Sequence, residues 1–125
     1  GLLCAKANLD AVSIIDGNEI LVEFKGALTE QYVLTELKSN VNSPIFYWTS
    51  DKGTSEVDFI IQIGKNNVPI EVKSSENLQA KSLKYFVGKY GTLKNVRTSM
   101  SDYRKEEKFI NIPLYIIRNI DEMLK

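Results

Sequence analysis

Histidine is absent from this 125-residue chain and cysteine occurs once, as Cys4. Without histidine, neither a Ser-His-Asp nor a Cys-His constellation can be assembled. One cysteine allows no internal disulfide and no cysteine-cluster zinc site. Cys4 therefore reads as a packing residue, since nothing of the histidine type is present to activate it. A metal held by this chain must be held by oxygen, which favours Mg²⁺ or Mn²⁺. No apolar run reaches the roughly eighteen residues of a membrane span, and no signal-peptide pattern is visible, so a cytoplasmic location is expected. No glycine-rich loop ending in Gly-Lys-Ser/Thr occurs, which excludes nucleotide binding by a P-loop within this segment. There are no internal repeats and no low-complexity tracts. Net charge is lacking too: 16 Lys and Arg stand against 16 Asp and Glu, and a pI near 6.5 argues against strong, non-specific nucleic-acid binding.

What is present is the composition of one ordinary globular domain, 43% hydrophobic and 26% charged. The neutral total conceals a division. Residues 1–73 carry ten acids and six lysines, whereas residues 74–108 carry eight Lys and Arg against four acids. Lys81, Lys84, Arg97 and Arg104, with Lys89, Lys94, Lys105 and Lys108, could flank a site that receives a phosphate backbone. The alternative is a solvated helix face and loop.

Residues 56–73 carry the strongest signal. Two apolar runs flank the polar turn Gly64-Lys65-Asn66-Asn67, which predicts a β-hairpin with strands at about Val57–Ile63 and Val68–Ser74. Asp58, Glu71 and Lys73 interrupt those strands. Burying a carboxylate costs several kcal/mol (order of magnitude) unless it is paired or binds a cation. Alternation places Glu71 and Lys73 on one face, with Ile70 and Val72 on the other. Pairing Gly64 with Asn67 sets Asp58 opposite Lys73 and diagonal to Glu71. Two acids and a lysine on adjacent strands suggest a divalent-metal site. A half-exposed hairpin with a surface ion pair is the competing reading.

Around this hairpin the order of elements is α-β-β-β-α-β. Gly1–Ala7 reads as the end of a helix already under way, and with no initiator Met the chain is expected to be a piece of a longer one. Asp16-Gly17-Asn18 is a turn. Phe24, Leu28, Tyr32, Val33 and Leu37 follow helical spacing over about Leu21–Ser39. Ile45–Trp48 is a short aromatic strand. Ser74-Ser75-Glu76 starts a second helix that runs through Leu78, Leu83, Phe86 and Tyr90 to Gly91, and Leu93–Ser99 is a strand. Ser101–Lys108 reads as a mobile polar segment. Phe109–Ile117 is apolar around Pro113, and Ile112-Pro113-Leu114-Tyr115 reads as an edge strand or a turn into a last helix through Leu124.

A helix bearing a glutamate, an Asp on one strand and Glu-x-Lys on the next resembles the PD-(D/E)XK nuclease pattern. The closer match runs through Gly26-Ala27-Leu28-Thr29-Glu30, Tyr47-Trp48, Glu56-Val57-Asp58-Phe59, Pro69-Ile70-Glu71-Val72-Lys73-Ser74 and Ile112-Pro113-Leu114-Tyr115. That ordered set, over about residues 20–118, is similar to the uncharacterised C-terminal domain of a prokaryotic AAA-type ATPase family. The resemblance implies a single α/β domain of restriction-endonuclease-like core, a central mixed sheet flanked by helices. It also implies an ATPase domain upstream in the same chain, so that ATP would be a ligand only of that longer chain.

Carried over by position, Asp58 and Glu71 would hold Mg²⁺ or Mn²⁺, and Glu30 would be the further acidic ligand, with Glu36 as the alternative on the same helix. Lys73 would orient the attacking water or offset charge on the phosphate. These residue types suit phosphodiester hydrolysis of DNA. The Gln-x-x-x-Tyr spacing found in some active nucleases of this superfamily is missing, since Gln79 and Tyr85 are not so spaced. Two other readings stand beside cleavage. One is a catalytically silent module that docks nucleic acid or protein for the ATPase through Tyr47, Trp48 and the basic stretch. The other is an oligomerisation domain using Ile112–Ile117.

Overall fold

A computed structural model describes residues 19–74 and 79–125 of the chain, with side chains from residue 24 onward. The expected helix end at Gly1–Ala7, Cys4, the turn at residues 16–18 and the helix start at residues 75–78 lie outside the described residues. The first helix, α1, spans Glu19–Asn40. Its buried residues Val33 and Leu37, followed by Val41, recur every fourth position, so one stripe meets the sheet. The Asn40 side-chain amide closes its last turn by donating to the Glu36 carbonyl at 2.8 Å.

Six strands follow: β1 (Phe46–Thr49), β2 (Glu56–Ile63), β3 (Asn66–Val72), β4 (Val96–Ser99), β5 (Arg104–Lys105) and β6 (Ile110–Pro113). They form one mixed sheet in the order β1-β2-β3-β4-β6-β5. β3, β4 and β6 run parallel, and the remaining neighbours are antiparallel. Helix α2 (Lys81–Tyr90) joins β3 to β4 and ends at Gly91, whose φ of 65° is the left-handed cap conformation that glycine adopts without strain. After β6 a 3₁₀ helix (Leu114–Asn119) runs into the short helix α3 (Ile120–Met123).

Alternation sorts the sheet into two packed faces. Ile61, Ile70, Val96 and Ile112 join Val33 and Leu37 of α1, with Ile117 and Ile120 from the C-terminal turns, in the larger core. The opposite face holds Ala80 and Leu83 of the α2 region against Phe109. Between strands β4 and β6 on that second face lies a buried polar network centred on Asn111, which is fully buried. Its Oδ1 accepts from Arg97 Nε at 2.9 Å and from Ser99 Oγ at 2.8 Å. Its Nδ2 donates to the carbonyls of Ser101 and Asp102 at 3.1 and 3.0 Å.

The structure changes four details expected from the sequence. The hairpin turn is the two residues Gly64-Lys65, with Gly64 at φ 62°, because Ile63 pairs with Asn66. The register thus differs by two residues from the one expected, which preserves the faces, and pairing ends at Phe59↔Ile70, so Asp58 is not set opposite Lys73. Helix α2 starts at Lys81 rather than Ser74, since the Lys73 amide still pairs with the Thr98 carbonyl at 2.9 Å and keeps the chain extended. Ser101–Lys108, expected to be mobile, contains β5, and Asn111 holds the carbonyls that lead into it. Ile110–Pro113 is an interior strand rather than an edge, because β5 covers its outer side.

Asn111→Ala removes the acceptor of a buried arginine and the donor to two loop carbonyls. A destabilisation of about 3 kcal/mol is expected, read as a lowered denaturant midpoint. A midpoint matching that of the exposed control Lys52→Ala would show that the network does not hold β5 in place.

Candidate active site

Strands β2 and β3 pair from Ile63↔Asn66 to Phe59↔Ile70, and β3 then continues alongside β4 through Glu71↔Arg97 and Val72↔Thr98. At this parting the Val72 amide donates to Asp58 Oδ2 at 2.8 Å. A side chain therefore takes over a link that the strand ladder no longer makes.

The position of Asp58 has a local cause. Phe46 pairs with Ile60 but Trp48 pairs with Val57, so Asp58 and Phe59 together face the single residue Tyr47. This is a β-bulge, which breaks side-chain alternation and re-aims the residues it contains. Phe59 accordingly packs against the larger core, while Val57, two residues earlier, is buried outside that cluster.

Helix α1 brings Glu30 to the same place. One turn before it, Gly26 passes Ser74 so closely that a methyl group there would lie 3.6 Å from the Ser74 hydroxyl. Glu30 and Asp58 line one cavity, close enough for hydrogen bonding between their carboxyls to contribute to the shift of Glu30. Desolvation, then the negative charge of Asp58 and that hydrogen bonding, then Glu56, push Glu30 up from 4.5 to about 7. Although Glu30 as a whole is exposed, its carboxyl is the end that meets Asp58. Asp58 is also raised above its ordinary 3.8, chiefly by desolvation, against the lowering influence of the Val72 amide. The contact acts oppositely on the two: Asp58 raises Glu30, whereas hydrogen bonding to Glu30 lowers Asp58, whose rise comes from desolvation and the charge of Glu56.

Glu71 is the buried acid of the group, at 6% exposure. Its Oε1 lies 3.6 Å from Lys73 Nζ, and its Oε2 is buried with no hydrogen-bond partner among the described residues. Desolvation raises Glu71 above 4.5, opposed by Lys73. The negative charge of Asp58 adds to the rise, so the two acids sense one another.

A cavity of about 190 Å³ opens at this point, lined by Glu30, Tyr47, Trp48, Glu56 and Asp58 among others. Glu71 and Lys73 lie outside that lining. Glu56 is an acid to which the sequence reading gave no role; its separation of two from Asp58 on one strand was the available signal. Glu36, the alternative helical acid, is instead turned to Asn40 Nδ2 at 3.4 Å. Trp48 is fixed on α2, donating to the Tyr90 hydroxyl at 3.2 Å and meeting Phe86 edge-on at 5.2 Å. Tyr47 stands 80% exposed on the lip.

The basic residues divide. Lys81 is exposed at the start of α2. Lys84, Arg97 and Arg104 line a second cavity of about 570 Å³, with Arg97 only 2% exposed. Of the apolar segment Ile112–Ile117, both end residues are fully buried in the chain's own core, and Tyr115 is the member most exposed, at 66%.

Among the described residues, no three His, Cys, Asp or Glu side chains form a group able to hold a metal ion by themselves. The donor chemistry nevertheless fits Mg²⁺, which typically takes one or two carboxylates and fills its other positions with water and substrate phosphate. Glu30 and Asp58 supply that pair, and the unpartnered Glu71 Oε2 supplies a further buried acceptor nearby.

The family whose model matches this chain is described as "Domain of unknown function (DUF4143)", and the match covers residues 25–117. It takes in Glu30, Asp58, Glu71 and Lys73. No curated protein matches the chain.

The raised Glu30 sets a pH dependence. Glu30 binds its proton more tightly in the folded than in the unfolded chain, so its contribution to stability is fully present below about pH 4.5 and is lost as pH rises through about 7. Glu30→Gln should flatten the fall in thermal midpoint over that window while leaving the acid side unchanged. An unaltered pH profile in the variant would remove Glu30 from the coupled pair.

Proposed function

The chain belongs to the DUF4143 family, and we propose that it is a nuclease-like domain that hydrolyses phosphodiester bonds of DNA with Mg²⁺ or Mn²⁺. The observation that carries this reading is that Glu30 and Asp58 line one cavity where β2 and β3 part, with Asp58 held there by the Val72 amide. Two acids pressed together at the cost of a raised pKa are what a divalent cation would relieve, by displacing the proton that Glu30 holds.

Asp58 and Glu30 would hold the ion, and Glu71, outside the cavity lining, would act on it through its charge and through Lys73. A bound divalent ion supplies Lewis acidity and a water of lowered pKa. Lys73, paired with Glu71 at 3.6 Å, keeps an ammonium beside the acids, where it would offset charge developing on a phosphate. Because Glu71 is buried and Lys73 is not, the pair orients the lysine head toward the acids while 29% of the side chain stays open to solvent. The bulge at Asp58 and the parting of the strands, together with the crossing of α1, support assigning the core to the PD-(D/E)XK class. On this reading an AAA-type ATPase domain of the same chain would be the partner that presents DNA.

A second reading is favoured by two observations: Lys73 already has its counter-ion, and among the described residues three acids do not converge on one point. In that case the domain is a silent nuclease-fold module through which nucleic acid or protein regulates the ATPase.

The test is cleavage of labelled DNA by the full-length protein with Mg²⁺ or Mn²⁺, compared with Asp58→Asn and Lys73→Ala. Each substitution is expected to lower the rate by about 10²-fold or more, as removal of a transition-state-stabilising group does. Cleavage at equal rates by wild type and both variants would sink the catalytic reading. Absence of cleavage with metal-dependent DNA binding retained would select the second reading.

A further inference from the structure

Helix α2 turns one face to solvent, and that face has a composition of its own. Lys81, Lys84, Tyr85, Gly88 and Lys89 are exposed there, three and four positions apart in one stripe, and α2 carries no acidic residue. Among the described residues, none of these lysines forms an ion pair. Tyr85 is 51% exposed, and its ring lies 6.1 Å from that of Trp48 with the planes inclined at 31°. Trp48 in turn lines the cavity of Glu30 and Asp58. So does Tyr47, which is 80% exposed and whose side chain makes no ring contact or hydrogen bond among the described residues. Aromatic rings therefore lead from the lysines of α2 to the acids.

Gly88 adds a separate observation. It stands in the interior of α2, where glycine weakens a helix relative to alanine. A Cβ there would meet nothing within 4 Å, so packing among the described residues gives no reason for it. Lys84 and Tyr85 lie one turn earlier on the same face, and the missing side chain leaves room for a ligand to lie close against the helix.

The two kinds of group decide what this face recognises. Lysines without acids select a polyanion. Exposed ring faces select flat groups presented face-on, which an unpaired base offers and a base stacked inside a duplex does not. An acidic peptide would satisfy the lysines but brings no series of flat groups for Tyr85 and Tyr47. We propose that α2 and β1 form a track for single-stranded DNA. The lysines follow its phosphates, Tyr85 and Tyr47 stack on its bases, and the strand is led past Trp48 to the cavity of Glu30 and Asp58. This names the substrate class of the proposed hydrolysis and rests on that reading only for the fate of the bound strand.

The test is fluorescence anisotropy with the full-length protein in EDTA, where no metal-dependent cleavage occurs, using a labelled oligothymidylate and a duplex of the same length. The single strand should bind about tenfold more tightly, as stacking on two rings provides. Tyr47→Leu and Tyr85→Leu, both at exposed positions, should each weaken single-strand binding about fivefold or more and leave duplex binding unchanged, whereas Tyr47→Trp and Tyr85→Trp should retain it. Lys81→Gln/Lys84→Gln should weaken both forms and lower the salt dependence of binding. Gly88→Gln should raise the thermal midpoint yet weaken single-strand binding, opposite directions that a purely structural role does not produce. Equal affinity for the two forms, or Tyr→Leu variants that bind as wild type does, overturns the proposal and leaves the aromatic surface to a protein partner. Selective binding without cleavage once Mg²⁺ is added upholds the track and removes the catalytic reading alone.

Discussion

The hydrogen bond from the Val72 amide to Asp58 Oδ2 is the constraint on which the rest of this site depends. Pairing of β3 with β2 ends at Phe59↔Ile70, while its pairing with β4 continues to Val72↔Thr98. A buried amide left without a partner would cost about 1–3 kcal/mol. Asp58 fills that place, and the bulge opposite Tyr47 is what lets it do so. The carboxylate is thereby held in a partly desolvated position beside Glu30. Structure and chemistry are joined here, because the group that closes the sheet is also the group whose pKa is perturbed.

The opposite face is organised around a different polar centre. Asn111 uses both ends of its amide, so the arginine, the Ser99 hydroxyl and the loop before β5 are fixed by one side chain. Such a network is stabilising only when its members are satisfied together. It also explains why the segment after β4 is ordered: two of its carbonyls are donated to from the core. Arg97 then links the two centres, being beside Glu71 on one side and under the second cavity on the other.

Much of the fold was legible in local pattern. The helical stripe Val33–Leu37–Val41, the alternating runs of β2 and β3, and Gly91 as a helix stop each have a local physical cause. The acids Asp58 and Glu71 stood out because strands do not bury carboxylates without compensation. What local pattern could not supply was register. Gly64 permits positive φ in a two-residue turn, yet Gly64–Asn67 reads equally well as a longer loop. The short β5 was hidden for a similar reason: Arg104 and Lys105 are charged and exposed, and only pairing with β6 makes them a strand.

The sequence by itself determined the chemistry available: no histidine, no cysteine cluster, and therefore oxygen donors and cations as the polar groups able to act. It also determined which strands carry them, because alternation and turn residues act over a few positions. Tertiary structure decided which of these groups meet. Glu30 is distant in sequence from Asp58, and their contact follows from how α1 crosses the sheet beside Ser74. Glu36, on the same helix, was turned to Asn40 instead. Arg97, one of several similar cations in the sequence, became a buried wall residue through Phe109 and Asn111. Burial and proximity are properties of the packed chain, and both the raised pKa of Glu30 and the walled cavity arise from them.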